Sequence, residues 1–149
     1  MKVFFDTNVI LEYLLNRKCA DDVERILYFL CEQEVAKYIS CGSFYTLTYL
    51  LEIEFKRRGE NIAENRIERL RQYLNILLSE YEIIGRLDWE AAVNNQRFSD
   101  IEDSYQYQAA LSADCDVLLT LNVRDFKHIS SDKEISILTP AEFLDKYCR

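Results

Sequence analysis

The stretch that decides the fold runs from Phe98 to Phe126 and reads FSDIEDSYQYQAALSADCDVLLTLNVRDF. Its first residues are acidic, its middle suits a helix of small and polar residues, and its apolar run at 116–120 is typical of a buried strand. The polar residues at the two ends of this helix-to-strand unit are Asp100, Glu102, Asp103, Thr120, Asn122 and Asp125. Acidic side chains therefore flank the whole unit.

The N-terminus repeats the pattern of an apolar strand that ends in an acid. Residues 2–5 are short, apolar and β-prone, and Asp6-Thr7-Asn8 follows directly. Apolar residues at helical spacing then predict a helix over 8–16. An acid after a buried strand is costly to desolvate, and this one has no obvious helix to cap, so we expect it to be paired or metal-bound.

Strands and helices alternate along the rest of the chain. Ser43 is expected to cap the third helix, and Thr139-Pro140-Ala141-Glu142 is a strong helix start with Thr139 as cap. This alternation predicts an α/β fold with a parallel sheet covered on both faces, whose ligands bind at the carboxyl ends of the strands. The remaining predicted strands are 37–41, 82–84, 116–120 and 135–138, and the later helices are 43–58, 63–79, 89–95, 101–113 and 140–147.

Composition favours one domain over residues 1–149, because 149 residues can bury a sizeable core and no linker-like tract interrupts them. The five cysteines are widely spaced and lack a Cys-x-x-Cys pair, which argues against a disulfide framework and a zinc site. No apolar run is long enough to span a membrane. We expect a cytoplasmic protein without a membrane anchor, and its net charge of -8 disfavours nucleic-acid binding through a broad basic face.

The acids support two interpretations. Asp100 and Asp103 are three residues apart on a predicted helix, so they could simply complement its amino end, at about 1 kcal/mol. Alternatively, they join Asp6 at the carboxyl edge of the sheet, where clustered carboxylates would bind a hard divalent cation such as Mg²⁺. Such a site can activate water and clamp the oxygens of a phosphodiester.

Four segments together make the chain resemble the PIN-domain nucleases, and among them the VapC-type branch of bacterial toxins. They are the strand with Asp6 to Ile10, Asp100 to Asp103 followed by Gln106 to Ala110, Leu118 to Phe126, and Leu138 to Phe143. The resemblance covers nearly the whole chain. It implies a three-layer α/β/α sandwich with a mainly parallel sheet of about five strands. It also implies a ribonuclease that uses Mg²⁺ or Mn²⁺.

Carried over residue by residue, the resemblance makes Asp6 and Asp103 metal ligands, with Asp100 and Glu102 as supporting acids and Thr7 and Asn8 holding the turn. Asn122 stands where the family usually has Asp, so Asp125 is the expected substitute in catalysis. The family often has Glu near the position of Thr46, which could instead support a ligand through water. Glu52 and Glu54 lie too far along the helix and are expected to face solvent.

Partners also follow from the resemblance: RNA, an antitoxin protein and a second copy in a homodimer. Lys56, Arg57 and Arg58 offer phosphate contacts for RNA, or they are ordinary helix-end charges. Because the family Glu is absent, a non-catalytic PIN domain that binds nucleic acid or a partner remains the alternative. Phosphotransfer with Asp6 as nucleophile is disfavoured, because Asn8 and not a second acid stands two residues on.

Overall fold

The central strand of the sheet is β1 (Lys2–Phe5), and the computed structural model describes residues 1–126, 128–129 and 135–149. Its side chains alternate between two cores, because successive residues of a strand point to opposite faces. Val3 and Phe5 pack into one core and Phe4 into the other, and all three are fully buried. An acid placed directly after this strand is therefore held by a rigid, buried backbone.

Five parallel strands form the sheet of the described residues, in the order β3-β2-β1-β4-β5. The other strands are β2 (Ala36–Ser40), β3 (Glu82–Ile84), β4 (Val117–Leu119) and β5 (Ser136–Leu138). The chain moves outward from β1 to β2 and β3, and then returns to the other side of β1 for β4 and β5. The strand order thus reverses between β1 and β4, the position where ligands bind in open α/β sheets.

Helices cover both faces, which confirms the predicted three-layer α/β/α sandwich. One core joins β1 to α1 (Thr7–Leu14), α2 (Ala20–Glu32), α3 (Cys41–Arg57), α4 (Ala63–Glu80) and α7 (Pro140–Tyr147). The other joins β1 and β4 to α6 (Ile101–Ser112), beside which lies the short α5 (Trp89–Val93). A 3₁₀ helix, Val123–Phe126, follows β4.

The helix starts show where local sequence decides structure. Thr139 and Glu142 form the predicted capping box, with each side chain bonded to the other's backbone. The predicted cap at Ser43 is wrong, because α3 begins two residues earlier and Ser40 is its N-cap, with Oγ accepting from the Ser43 backbone N–H at 2.9 Å. Ser43 is consequently free to face the sheet edge.

Two further expectations concern composition. All five cysteines lie in the described residues and are free thiols. No helix in the described part of the chain combines the length and hydropathy needed to cross a bilayer.

Candidate active site

The reversal in strand order brings Asp6 and Thr120 side by side. Asp6 follows β1 and Thr120 follows β4, and the Asp6 backbone N–H donates to the Leu119 carbonyl at 2.9 Å. The Thr120 hydroxyl, which is fully buried, donates to Asp6 Oδ2 at 2.8 Å. The same hydroxyl accepts from the Asn122 backbone N–H at 3.0 Å, so it also shapes the turn after β4.

The Asp6 carboxylate is buried and held by three donors. Besides Thr120, these are the Thr7 backbone N–H at 2.7 Å and Gln106 Nε2 at 3.0 Å, both to Oδ1. The expectation that Asp6 has no helix to cap is wrong, because β1 passes into α1 without a loop and makes Asp6 the N-cap. Burial raises the pKa of Asp6, while the bonds from Gln106, Thr120 and Thr7 oppose that rise. A carboxylate accepts about four bonds, so about one acceptor position is left over for a cation.

Gln106 is the residue that the sequence prediction missed. Its side chain is buried and links three segments of the chain. Nε2 donates to Asp6 and also to Ser43 Oγ at 2.7 Å, and Oε1 accepts from Ser40 Oγ at 2.6 Å. Thr7 Oγ1 lies 2.8 Å from Ser43 Oγ and closes the network. The available signal was its position three residues after Asp103, on the same side of the helix.

The acids of α6 complete the site. Asp100 is the N-cap, with Oδ1 accepting from the Glu102 backbone N–H at 2.8 Å, as the capping interpretation predicted. Asp103 is half-buried, and burial together with the charges of Asp100, Asp6, Asp125 and Glu102 raises its pKa to about 7. Capping and clustering are thus both present. The repulsion stored among these acids favours binding of a proton or a cation.

These side chains surround a pocket of about 320 Å³, which we call the acid pocket. Asn8 and Asn122 lie on its wall, and the Asn8 side-chain oxygen accepts from the Leu121 backbone N–H at 3.3 Å. Thr46 also lines the pocket, at the position where an acid was expected. The polar residues that line the acid pocket are Asp6, Thr7, Asn8, Thr46, Asp100, Glu102, Asp103, Gln106 and Asn122.

Asp125, the expected substitute in catalysis, and Glu52, which was expected to face solvent, both lie outside the acid pocket. Asp125 is exposed on the 3₁₀ helix and does not line the acid pocket, although its charge reaches Asp103. Glu52 Oε1 lies 3.9 Å from Lys56 Nζ, on the outside of α3. Neither side chain replaces the absent family acid by direct contact with the pocket.

Glu54 contradicts the expectation that it faces solvent. It is buried, because it falls on the same helical stripe as Leu47 and Leu51. Arg57 Nε and Arg58 Nε each donate to it at 3.0 Å, and the pKa of Glu54 falls to about 2, chiefly through the bond from Arg57. All three cations predicted to contact RNA are therefore already paired with glutamates of α3.

The donor set of the acid pocket fits a hard divalent cation. The polar side chains on its wall are carboxylates, amides and hydroxyls, all of which carry an oxygen atom. Mg²⁺ and Mn²⁺ prefer oxygen ligands. Within the described residues, no three Asp, Glu, His or Cys side chains are grouped closely enough to hold an ion by themselves. A cation there would take Asp6 and Asp103 as carboxylate ligands and keep several waters, as Mg²⁺ usually does.

Comparisons with known proteins agree with this architecture. Residues 2–124 match the family model of the PIN domain, a span that includes Asp6, Asp103 and Asn122 and stops just before Asp125. A search of curated proteins found no significant match.

Two solved structures share the fold. One is VapBC2 from Rickettsia felis bound to a DNA fragment from its promoter, with a TM-score of 0.62 and 19% identity, covering 93% of this chain and 98% of the matched chain. The other is VapBC-1 from nontypeable Haemophilus influenzae, with a TM-score of 0.61 and 18% identity, covering 95% and 99%. At these identities the likeness concerns the fold.

Proposed function

Since this chain belongs to the PIN-domain family, we propose that it is a divalent-metal-dependent endoribonuclease that hydrolyses phosphodiester bonds of RNA in the acid pocket. The observation that carries the proposal is the pairing of Asp6 with Asp103. One carboxylate is buried and fixed by three neutral donors, and the other has a pKa raised to about 7 by burial and by its acidic neighbours. Both line the acid pocket, Asp6 from the end of β1 and Asp103 from the first turn of α6.

Each residue of the acid pocket has a role that follows from its position. Thr120 and Gln106 fix the orientation of Asp6, which lines the acid pocket together with Asp103. Asp100 and Glu102 add negative charge at the start of α6, and Asn8 and Asn122 add neutral polar groups to the pocket wall. A bound Mg²⁺ or Mn²⁺ supplies a Lewis acid that offsets phosphate charge and activates water.

Charge explains why the cation is needed. The chain carries a net charge of -8, and the pocket itself is acidic, so an RNA phosphate is repelled until a cation neutralises these carboxylates. Lys56 and the partly exposed Arg57 and Arg58 would then contribute phosphate contacts at some distance from the pocket, screened by Glu54. We expect this basic contribution to be weak.

The partner predictions rest on the fold. The two structural neighbours are VapBC complexes, one of them bound to promoter DNA. By analogy, we propose that this chain is the toxin of a toxin–antitoxin pair, restrained by an antitoxin protein, and that it forms a homodimer. Light scattering of the purified chain would test the dimer, and co-purification with the product of an adjacent gene would test the antitoxin.

Cleavage of structured and single-stranded RNA in Mg²⁺ or Mn²⁺ tests the nuclease. Asp6→Asn and Asp103→Asn should each lower the rate by at least 100-fold, because each removes a charged ligand of the cation. Asp114→Asn is the matched control: Asp114 is exposed, lies outside the acid pocket, and has a φ of 54° that Asn tolerates. Equal loss in all three variants would contradict the assignment.

A second candidate function is favoured by one observation. The acid pocket has Thr46 where the family often has Glu, and Asp125 does not line it. A non-catalytic PIN domain that binds nucleic acid or a partner would fit such a reduced set. It would bind RNA without cutting it in either metal, and Mn²⁺ would leave its melting temperature unchanged.

A further inference from the structure

A second pocket adjoins the acid pocket and has an aromatic wall. It encloses about 380 Å³, within the range of small-ligand sites. Thr46, Glu102 and Gln106 line both pockets, so the two cavities are neighbours that share these side chains. We call the second cavity the aromatic pocket. Whatever occupies it lies next to a ligand of the acid pocket.

Trp89 and Tyr105 form its aromatic side. Their ring centroids are 5.5 Å apart at an interplanar angle of 74°, an edge-to-face contact. Trp89 remains 50% exposed, although indole burial is strongly favourable. The two rings therefore present apolar surface to the aromatic pocket and to solvent.

Polar anchors and a buried alanine hold the backbone of this wall in place. Ser104 Oγ donates to the carbonyl of the buried Ala92 at 2.6 Å, and Ser112 Oγ donates to the Arg86 carbonyl at 2.9 Å. Both bonds tie the segment around α5 to α6, the helix that carries Asp103. Asp88 caps α5 by accepting from the Ala91 backbone N–H at 2.9 Å. The backbone of α5, which carries Trp89, is thus tied to the helix that carries the acids.

We propose that the aromatic pocket binds one nucleobase of a single-stranded RNA whose adjacent phosphodiester lies in the acid pocket; this rests on the proposed function and names how that site selects its substrate. Because the two rings contact each other edge to face, a base can stack on the open face of one of them, and such stacking does not require a duplex. Glu102 lies between the two pockets and can accept from adjacent N–H donors on a base edge. Guanine presents two such donors and is favoured over uracil.

Two features favour RNA over a protein occupant. The aromatic pocket lies beside the acid pocket, and this arrangement suits a polymer with alternating bases and phosphates. Glu102 also places a carboxylate on the pocket wall, which an apolar side chain of a second copy would leave desolvated and unpaired. A base with N–H donors satisfies that carboxylate.

Trp89 is the only tryptophan, so its fluorescence reports on this pocket directly. The titration uses the Asp103→Asn variant without added metal, and the RNA trimers AGA and AUA as probes. Anisotropy of the same trimers carrying a dye measures binding independently of Trp89. Saturable change in Trp89 emission, with AGA bound more tightly than AUA, is the expected result.

Variants separate stacking from surface effects. Tyr105→Leu and Trp89→Leu should weaken trimer binding, read by anisotropy, by about 5- to 150-fold, the range of one lost base stack. Tyr28→Leu is the matched control, because Tyr28 is 68% exposed on α2, away from both pockets. Circular dichroism and the Mn²⁺-induced melting shift, measured with Asp103 intact, check that the variants keep their fold and acid pocket.

The outcomes distinguish this proposal from the nuclease itself. Trimer binding that alters Trp89 emission supports the base pocket even if the wild-type chain cuts no RNA. Three results overturn it: no trimer binding, binding by anisotropy with unchanged emission, or equal losses in Tyr28→Leu and Trp89→Leu. Emission that changes with protein concentration, in parallel with dimerisation, would assign the pocket to a second copy and also overturn it.

Discussion

Asp6 and Glu54 are the two buried carboxylates of the described residues, and they are satisfied in opposite ways. Glu54 is paired with Arg57 and Arg58, so its charge is neutralised within one helix end and the pKa falls to about 2. Asp6 has only neutral donors, and burial raises its pKa. Both carboxylates are hydrogen-bonded, but only Asp6 still lacks a positive charge.

The contrast separates structural from functional acids. A buried carboxylate with cationic partners needs nothing more, whereas one with neutral donors beside a half-buried Asp103 favours a bound cation. Whether a buried acid is structural or functional is therefore indicated less by its charge than by whether its hydrogen-bond donors are cationic or neutral. By that criterion we expect the site at the carboxyl ends of β1 and β4, whereas the ion pairs at the basic end of α3 stabilise the fold.

Gln106→Leu should produce the largest effect, because it removes one of the three neutral donors to Asp6. The change keeps the approximate size of the side chain but removes the donor to Asp6 and the acceptor of Ser40, so that each loses one buried hydrogen bond while Asp6 keeps Thr7 and Ser40 keeps Ser43. At about 1.5–3 kcal/mol for a bond to a charged group and about 0.5–1.5 kcal/mol for a neutral one, we expect a loss on the order of 3 kcal/mol in the free energy of unfolding. Urea denaturation measures it.

A matched control for this prediction is Gln108→Leu, two residues along α6 and half-buried outside the acid pocket. It should cost clearly less. Similar losses for both variants would mean that the Asp6 network contributes no special stability.

Thr46→Glu should increase the difference between the acid pocket and the ion-paired Glu54, because it adds an acid to the pocket. Thr46 lines the pocket, so a Glu side chain there has open space and can reach the cation. We expect about tenfold tighter Mn²⁺ binding, roughly 1.4 kcal/mol, and a lower melting temperature without metal because of the added repulsion. Calorimetric titration with Mn²⁺ checks the affinity. Thr46→Gln, which adds length without charge, should leave it nearly unchanged.

Glu54→Gln should have the smallest effect and a distinct dependence on pH. The pKa of Glu54 is lowered from 4.5 to about 2, so its ion pairs stabilise the fold above pH 4.5, and that stabilisation is lost as the pH falls towards 2. Arg57 and Arg58 are substantially exposed and can turn to water, which limits the loss.

Melting curves from pH 7 to pH 2 provide the check. The difference between wild type and Glu54→Gln should shrink with acidification, and the Mn²⁺-induced melting shift should be the same in both. A smaller Mn²⁺ shift in the variant would tie Glu54 to the site and remove the contrast.

Much of the fold could be predicted because its signals are local. Each of these signals spans only a few residues. They are the Thr139–Glu142 capping box, the apolar strands, the acid after β1 and the acids at the start of α6. The alternation of strands and helices predicted a parallel sheet with its ligands at the carboxyl ends of the strands, whereas the strand order that places Asp6 beside Thr120 came from the structure. Short-range patterns and one topological rule were sufficient for the rest.

Other features depend on contacts distant in sequence or on details of helix phase. Gln106 bonds to residues 63, 66 and 100 positions away, so no local pattern reveals its partners. Glu54 was predicted to face solvent because it is charged, but it lies seven residues after Leu47 on the buried stripe of α3. Ser43 was predicted as a cap because the start of α3 was placed two residues late. Helical spacing could have corrected the prediction that Glu54 faces solvent, whereas the hydrogen-bond network of Gln106 required the tertiary structure.

We expect that the negative charge of the acid pocket is relieved only by a cation. Thermal melts of wild type and Asp103→Asn at pH 8, with and without Mn²⁺, test this expectation. The raised pKa of Asp103 means that ionisation destabilises the fold as the pH rises from 3.8 to about 7. Without metal, Asp103→Asn should therefore melt at the higher temperature.

With Mn²⁺ the order should reverse, because the cation stabilises only the folded wild type. At pH 5 the metal effect should be smaller, since protons compete for the same carboxylates. A variant that is less stable than wild type in the absence of metal, or an Mn²⁺ shift of equal size in both proteins, would contradict the account.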